Sequence, residues 1–133
     1  MRITGRQPAT VQGGQSNVAR LTNAERFIQN NVPARHHADV RAAFGSDIRA
    51  TTLPRDVTVF RYYGGGSQPS SFWATPNKVA NPRAELALPR SNTAEHVRAI
   101  TLPRGTRVLE GTVAPNFRQP GGGYQFYIPT GLN

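Results

Sequence analysis

The sequence contains no cysteine. Disulfides, a thiol nucleophile and cysteine-ligated zinc are therefore excluded, and the fold must depend on its hydrophobic core. The adjacent His36 and His37 do not share a helix face, so we predict no metal site. No apolar run approaches the roughly 20 residues that span a bilayer, and the first twenty residues lack the apolar centre of a signal peptide. We therefore expect a soluble chain that does not associate with a membrane.

Acidic residues and lysine are also scarce. The chain has 7 Asp and Glu against 16 Lys and Arg, a net charge of +9, and Lys78 is its only lysine. Nearly all the positive charge is arginine, whose planar guanidinium can bind phosphate through two parallel hydrogen bonds. The charge favours an anionic partner such as a nucleotide, a nucleic acid, an acidic protein or a membrane surface, and the arginines favour phosphate.

Length and composition indicate one small, loop-rich domain. The 133 residues suffice for one hydrophobic core, and 13 Gly and 11 Pro are many for a helical bundle. Residues 1–20 are rich in Gln, Gly, Ser and Thr without an acidic residue, which predicts a flexible tail. We predict a single catalytic domain over residues 21–133, helical over 22–45 and β-rich over 53–131.

Capping and breaker residues define the predicted helices. Thr22 or Asn23 can cap a first helix, and Pro33 suits the first position of a second helix that ends at Gly45. Asn81 followed by Pro82 predicts a third, brief helix.

Alternating β-branched and aromatic residues predict strands over 57–62, 71–76, 96–102, 107–114 and 124–128. The turn at 103–106 predicts a β-hairpin between the third and fourth of these runs. Arg61 ends the first strand, directly before a glycine-rich loop. It is either a solvated charge or a contact to phosphate or ribose.

The stretch from Glu110 to Pro129, EGTVAPNFRQPGGGYQFYIP, is the one around which the chain is organised. Its three glycines allow the backbone to come close to a flat or charged ligand. Gln125 follows them, and its amide can both donate and accept a hydrogen bond. A plain hairpin turn followed by an edge strand is the alternative interpretation.

Five ordered motifs resemble the tuberculosis necrotizing toxin family. They are FRYYGG at Phe60, SFWATP at Ser71, NPRAELALP at Asn81, NTAEHVRAITLPRGTRVLEGTVAP at Asn92 and PGGGYQFYIP at Pro120. Family members are NAD(P) glycohydrolase domains of polymorphic bacterial toxins and some fungal surface NADases. The resemblance implies a small α+β fold, with short N-terminal helices on a twisted, mostly antiparallel sheet core similar to ADP-ribosyltransferases.

The resemblance also implies a set of site residues. Gln125, His96 and Arg61 are the implied catalytic residues, with Arg61 and Arg83 directed at the phosphates and Phe72 or Trp73 at the nicotinamide. The implied substrate-binding set is Arg61, Tyr62, Gly64, Ser71, Phe72, Trp73, Arg83, Gly122, Gly123 and Tyr124. NAD or NADP is then the substrate, without a cofactor or metal. A cognate immunity protein and secretion or translocation into a target cell are further expectations.

The chemistry agrees with this residue set. Cleaving the nicotinamide–ribose bond needs a grip on the pyrophosphate and an aromatic wall for the nicotinamide ring. Its transition state is similar to an oxocarbenium ion, and a polar group that orients water or the ribose hydroxyls assists it. The leaving group already carries positive charge, so no strong general acid is needed, and Gln125 suffices without being a base.

ADP-ribosyl transfer to a protein or nucleic acid is the related alternative. Transferases of this type carry a Glu two residues after the catalytic Glu or Gln, whereas Tyr127 stands there in this chain. Hydrolysis is therefore favoured, although Glu110 or Glu85 could reach the site from elsewhere in the fold.

A basic RNA-binding module or ribonuclease is the alternative from another class. Exposed aromatics and arginines suit stacking and phosphate contact, and His96 could serve RNA cleavage. The basic residues are spread along the chain and no standard nucleic-acid motif is present, so nucleic acid is the less favoured partner. An interaction domain without activity is the remaining possibility.

Overall fold

The computed structural model describes residues 16–132. The first fifteen residues of the predicted tail lie outside this part of the chain. The last five of that tail, residues 16–20, instead belong to helix α1 and its cap. Helix α1 spans Asn17–Asn31, and the Ser16 hydroxyl caps it by accepting a hydrogen bond from the Ala19 amide at 3.1 Å. Ser16 is a good N-cap, and the helix therefore begins before the predicted cap at Thr22.

A short second helical segment follows. One 3₁₀ turn spans Ala34–His36 and runs directly into helix α2, His37–Ala43. Pro33 precedes the turn as its cap, and Phe44 leaves the helix in an extended, buried conformation, so the helix stops close to the predicted Gly45.

The larger sheet has four antiparallel strands. They are β1 (Arg49–Thr52), β3 (Trp73–Ala74), β5 (Arg107–Thr112) and β6 (Tyr124–Tyr127), in the spatial order β1-β5-β6-β3. The sequence Arg-Ala-Thr-Thr of β1 has no apolar alternation, and this strand was not predicted. Strand β6 is paired on both sides, so the edge-strand interpretation of this segment is wrong.

The smaller sheet is a two-stranded ribbon of β2 (Val57–Gly65) and β4 (Asn92–Leu102). The hairpin predicted between residues 96–102 and 107–114 is wrong, because β4 pairs with β2 while β5 pairs with β1 and β6. The turn between β4 and β5 is held by Leu53, whose carbonyl accepts from the Gly105 amide at 2.8 Å and whose amide donates to Thr106 at 2.9 Å. This turn therefore connects β4 of the smaller sheet to β5 of the larger one.

The two sheets meet at a narrow seam. The Phe60 amide donates to the Thr75 carbonyl at 2.8 Å, and the Thr75 amide donates back at 3.0 Å. Helix α3, Pro82–Glu85, follows the seam, and Asn81 caps it by accepting from the Ala84 amide, as predicted. The structure thus confirms a small α+β fold with antiparallel sheets.

Two clusters of buried side chains form the core. One lies between the first two helices and the four-stranded sheet, and it includes Phe27, Ile28 and Leu109. The other lies around the seam between the sheets, and it includes Val59, Phe126 and Ile128. Within residues 16–132, no helix combines the length and the apolar character needed to cross a bilayer.

Candidate active site

A cleft of about 470 Å³ lies at the seam between the two sheets. This volume lies within the range of small-molecule and cofactor pockets. Helix α2 and strand β2 form two of its walls, and β3, β6, the loop before β6 and residues 86–89 also contribute to the lining. Of the residues predicted from sequence, those that line this cleft are Arg61, Tyr62, Ser71, Trp73 and Gln125.

Gln125 is held in one orientation by the backbone. Its side chain is buried, and its amide nitrogen donates to the carbonyl oxygen of Ala43 at 2.8 Å. The Ala114 amide donates to the same oxygen at 3.0 Å. This second hydrogen bond connects helix α2 to the segment just after strand β5. Since the amide nitrogen is occupied, the amide oxygen is the atom left to accept a hydrogen bond from a ligand. No residue between 16 and 132 donates to it.

Arg61 brings a positive charge into the cleft without a neutralising partner. Its side chain is half-buried, and its Nε donates to the Gln68 carbonyl at 3.3 Å. Burial lowers the pKa of Arg61, and in the described part of the chain no carboxylate forms an ion pair with it. A bound anion would offset the cost of desolvating this cation.

Trp73 supplies an aromatic wall that its neighbours hold in place. Its ring lies 5.7 Å from the Phe44 ring and 4.9 Å from the Tyr127 ring, measured between centroids. Phe72 instead stacks on the Tyr127 ring, with the two centroids 5.9 Å apart. It is 48% exposed and does not line the cleft. Of the two aromatics that the resemblance implies, the structure places Trp73 in the cleft.

Tyr62, Ser71 and Gly64 support the cleft walls. The Tyr62 hydroxyl accepts from the Val79 amide at 3.1 Å, and the Ser71 hydroxyl accepts from the Trp73 amide at 3.2 Å. Gly64 lies outside the cleft lining, where a Cβ atom would come within 2.4 Å of the Thr93 hydroxyl oxygen. Its glycine character is therefore needed for close pairing of β2 with β4.

The glycine run before β6 does not offer free amides. The amides of Gly121, Gly122 and Gly123 donate to the carbonyl oxygens of Ala84, Val113 and Glu85, each at 2.9 Å. The sequence suggested that the backbone comes close to a flat or charged ligand here, but the amides of this run already have partners within the chain. A Cβ atom on Gly123 would lie 2.9 Å from the Glu85 carbonyl oxygen, so Gly123 must be glycine because it packs closely on helix α3.

Arg83 and Tyr124 also lie outside the cleft lining. The Nε of Arg83 is buried and has no hydrogen-bond partner in the part of the chain that the structure describes. The Tyr124 hydroxyl donates to the Glu110 carboxylate at 2.7 Å, and burial together with this bond raises the pKa of Tyr124. The structure therefore does not bring these two residues together with Arg61 and Gln125.

His96 lies on the exposed surface of the ribbon. It pairs with Tyr63 across β2 and β4, and the two ring centroids are 5.3 Å apart. It does not line the cleft, so the structure separates it from Gln125.

The acidic residues considered from sequence are engaged elsewhere. Glu110 accepts from Tyr124, Glu85 accepts from the Asn81 amide at 2.7 Å, and neither lines the cleft. Among the described residues, Asp39 on helix α2 is the acidic residue that lines it. No cluster of three or more His, Asp and Glu side chains that could hold a metal ion occurs within residues 16–132.

Most of the other lining residues were not predicted from sequence, among them Asp39, Asn92 and Phe117. Asp39 carries no local signal beyond a position in the first turn of a helix. Asn92 is buried and structural, because its side chain donates to the Tyr62 carbonyl and accepts from the Ala94 amide. Phe117 is 55% exposed, on the loop between β5 and β6.

Fold and cleft together define a small α+β domain with a ligand-sized site between two antiparallel sheets. The family described as tuberculosis necrotizing toxin matches residues 52–133, which is more than half of the chain. The chain therefore belongs to the tuberculosis necrotizing toxin family, as the sequence motifs indicated.

One solved structure extends the likeness to nearly the whole fold. The chain is similar to Tse6 as solved in complex with Tsi6, with a TM-score of 0.63 and 18% sequence identity. The match covers 84% of this chain and 88% of that chain, and at this identity it concerns the fold. No curated protein sequence matches the chain.

Proposed function

We propose that this domain is an NAD(P) glycohydrolase that cleaves the nicotinamide–ribose bond to give nicotinamide and ADP-ribose. One observation carries the proposal: Arg61 and Gln125 line the same ligand-sized cleft, and within residues 16–132 the half-buried Arg61 forms no ion pair and the Gln125 amide oxygen accepts no hydrogen bond. Family membership supports it.

Arg61 and Trp73 provide the binding contacts in this proposal. The guanidinium of Arg61 pairs with the pyrophosphate, since an anion compensates its desolvation. Trp73, fixed by Phe44 and Tyr127, offers its face to the nicotinamide ring. Arg83 does not line the cleft, so the grip on phosphate rests on Arg61.

Gln125 acts on the reacting ribose. The bond from C1′ to the nicotinamide nitrogen breaks, and its electron pair stays with nicotinamide, which leaves as a neutral molecule. The oxygen of a water bonds to C1′, and its proton is released to solvent. The Gln125 amide oxygen accepts a hydrogen bond from a ribose hydroxyl or from this water, which orients the reacting atoms without taking up a proton.

Hydrolysis is favoured over transfer to an acceptor. Tyr127, two residues after Gln125, is 3% exposed and packs against Trp73, so no group at this position activates an acceptor. The carboxylate that lines the cleft comes from a different element, helix α2. In this proposal, the Asp39 carboxylate attracts the positive charge that develops on the ribose.

The biological setting proposed for this activity is that of a toxin or effector. Membership of a toxin family supports secretion or translocation into the cytoplasm of a target cell. Tse6 was solved with a partner protein, Tsi6, and we extend to this chain the expectation of a cognate immunity protein.

The deciding experiment follows NAD during incubation with the purified protein. Chromatography should show nicotinamide and ADP-ribose in equal amounts. Gln125→Ala should lower turnover by about 100-fold, by analogy with removal of a single oriented polar group from an active site. Gln29→Ala, on the exposed face of α1, is the matched control and should behave as wild type.

Three outcomes would contradict the proposal. Intact NAD and NADP would exclude the glycohydrolase. ADP-ribose attached to a protein or nucleic acid would favour the transferase, and RNA cleavage with NAD intact would favour the ribonuclease. Circular dichroism of Gln125→Ala checks that lost turnover does not reflect lost folding.

A further inference from the structure

The loop between β5 and β6 contains a tight turn with an unusual sequence. The Asn116 amide donates to the Gln119 carbonyl at 3.1 Å, and the Gln119 amide donates back at 2.8 Å. The two residues between them, Phe117 and Arg118, have φ angles of +50° and +63°. Two-residue turns with both central φ angles positive are usually built from Asn and Gly, because a side chain is strained there.

Phe117 is unfavourable in this turn for a second reason. Its side chain is 55% exposed, and none of the ring pairs found within residues 16–132 includes it. A strained backbone and an exposed aromatic ring both cost stability, and folding alone would select Asn or Gly here. Strain of this kind is concentrated at functional sites.

The position of the turn shows what the ring can contact. Phe117 and Asn116 line the cleft that also contains Gln125 and Trp73. The Asn116 side chain accepts from the Phe117 amide at 2.9 Å and so holds the start of the turn. A hydrogen-bonded turn therefore places Phe117 at the cleft, and more than half of its surface is exposed.

We propose that the Phe117 ring stacks on a heteroaromatic ring of the bound dinucleotide. This inference rests on the proposed function, and it adds a substrate-binding residue that the sequence motifs did not indicate. A dinucleotide has two flat rings, nicotinamide and adenine, and each gains free energy by stacking on an aromatic side chain. The aromatic side chains that line the cleft include two of different kinds, the packed Trp73 and the exposed Phe117.

The test uses a substitution that removes the Phe117 ring but preserves the turn. Asn tolerates positive φ, so Phe117→Asn removes the ring and relieves the strain. The melting temperature should stay the same or rise, while the KM for NAD rises about tenfold, the size expected for loss of one stacked base. Phe117→Tyr keeps a ring and should retain the wild-type KM. Val97→Asn, an equally apolar exposed position on β4 outside the cleft, is the control.

A second substrate shows which ring of the dinucleotide stacks on Phe117. Nicotinamide mononucleotide lacks the adenine, so a KM that rises for NAD alone assigns the stack to adenine. A KM that rises for both substrates assigns it to nicotinamide. An unchanged KM for both in Phe117→Asn would overturn the proposal, and so would a loss of thermal stability that matches the loss of affinity.

Calorimetry with NAD separates this inference from the proposed function. If wild-type protein binds NAD without hydrolysing it and Phe117→Asn binds it about tenfold more weakly, the stacking contact stands and the glycohydrolase fails. If Phe117→Asn binds NAD as tightly as wild type does, the stacking contact is wrong whatever the turnover.

Discussion

The four-stranded sheet and the β2–β4 ribbon support the cleft in different ways. Three of the four residues of β6 are buried, and the strand is paired on both sides. In β4 only the first and last residues are buried. Gln125 belongs to the sheet and Arg61 to the ribbon. The residue proposed to orient the reacting atoms thus lies on the more buried strand, which is paired on both sides, whereas the long guanidinium proposed to bind phosphate needs less precise support.

Stability should depend on the buried strand β5 much more than on the exposed middle of β4. Leu109 is fully buried between α1 and β5, so Leu109→Ala should lower the free energy of unfolding by about 3 kcal/mol. Val97→Ala, on the exposed surface of β4, should change it by less than about 0.5 kcal/mol. Urea denaturation measures both. Equal losses would show that the two regions contribute alike.

A substitution at Arg61 tests whether the β2–β4 ribbon contributes to NAD binding. Arg61→Ala should raise the KM for NAD roughly 30-fold with a smaller change in kcat, because the charge-assisted contact to phosphate is lost. Arg55→Ala removes the same charge outside the cleft and should leave the KM within about twofold of wild type. Comparable effects of the two substitutions would mean that overall charge, and not the cleft contact, attracts the substrate.

Asp47 links the loop before β1 to the sheet. Its carboxylate accepts from the Thr112 amide at 2.9 Å and from the Thr112 hydroxyl at 2.7 Å. Burial works against ionisation, but these hydrogen bonds outweigh it and hold the pKa of Asp47 below its ordinary value of 3.8. The stabilisation is therefore complete above that value and is lost as the pH falls through the lowered pKa.

Asp47→Asn should accordingly cost about 1 kcal/mol of unfolding free energy at neutral pH. The difference from wild type should shrink on acidification below 3.8, because wild-type Asp47 then becomes protonated. Urea denaturation along a pH series measures this. A difference that is constant down to low pH would show that the carboxylate charge is not involved.

Substitution of His96 should have the smallest effect on activity. It lies outside the cleft, so His96→Ala should change kcat/KM by less than about threefold, far less than Gln125→Ala. The pH profile of kcat/KM should be nearly flat between about pH 6 and 8, the range in which an essential histidine would be visible. A large loss in His96→Ala with a bell-shaped profile would show that substrate binding brings the ribbon surface into the reaction.

Local signals in the sequence predicted a good part of this molecule. The alternation at 57–62, the Asn81–Pro82 cap and the motif ending in Gln125 each depend on nearby residues, and the structure contains all three features. The pairing of β4 with β2, the interior position of β6 and strand β1 depend on contacts far apart in sequence. Strand pairing of that kind is decided by the whole core, so local patterns gave the wrong hairpin.

The candidate site divides in the same way. Arg61, Trp73 and Gln125 occur in motifs, and the fold brings them to one cleft. Asp39 and Phe117 are there because of the path of helix α2 and the geometry of one turn, and neither is apparent from residue type. The run Gly121 to Gly123 was misinterpreted for a related reason. Its sequence shows that the backbone is accessible, but not that other parts of the chain accept hydrogen bonds from its amides.

The carbonyl oxygen of Ala43 bears on how short a fragment of this domain can be and still hold Gln125. It accepts from both Gln125 and Ala114, yet position 43 lies before residues 52–133, the region shared with the family. Every amino acid has a backbone carbonyl oxygen, so a substitution at position 43 that preserves helix α2 would keep this contact. A fragment trimmed to the shared region would keep every motif residue and lose the acceptor that holds the glutamine.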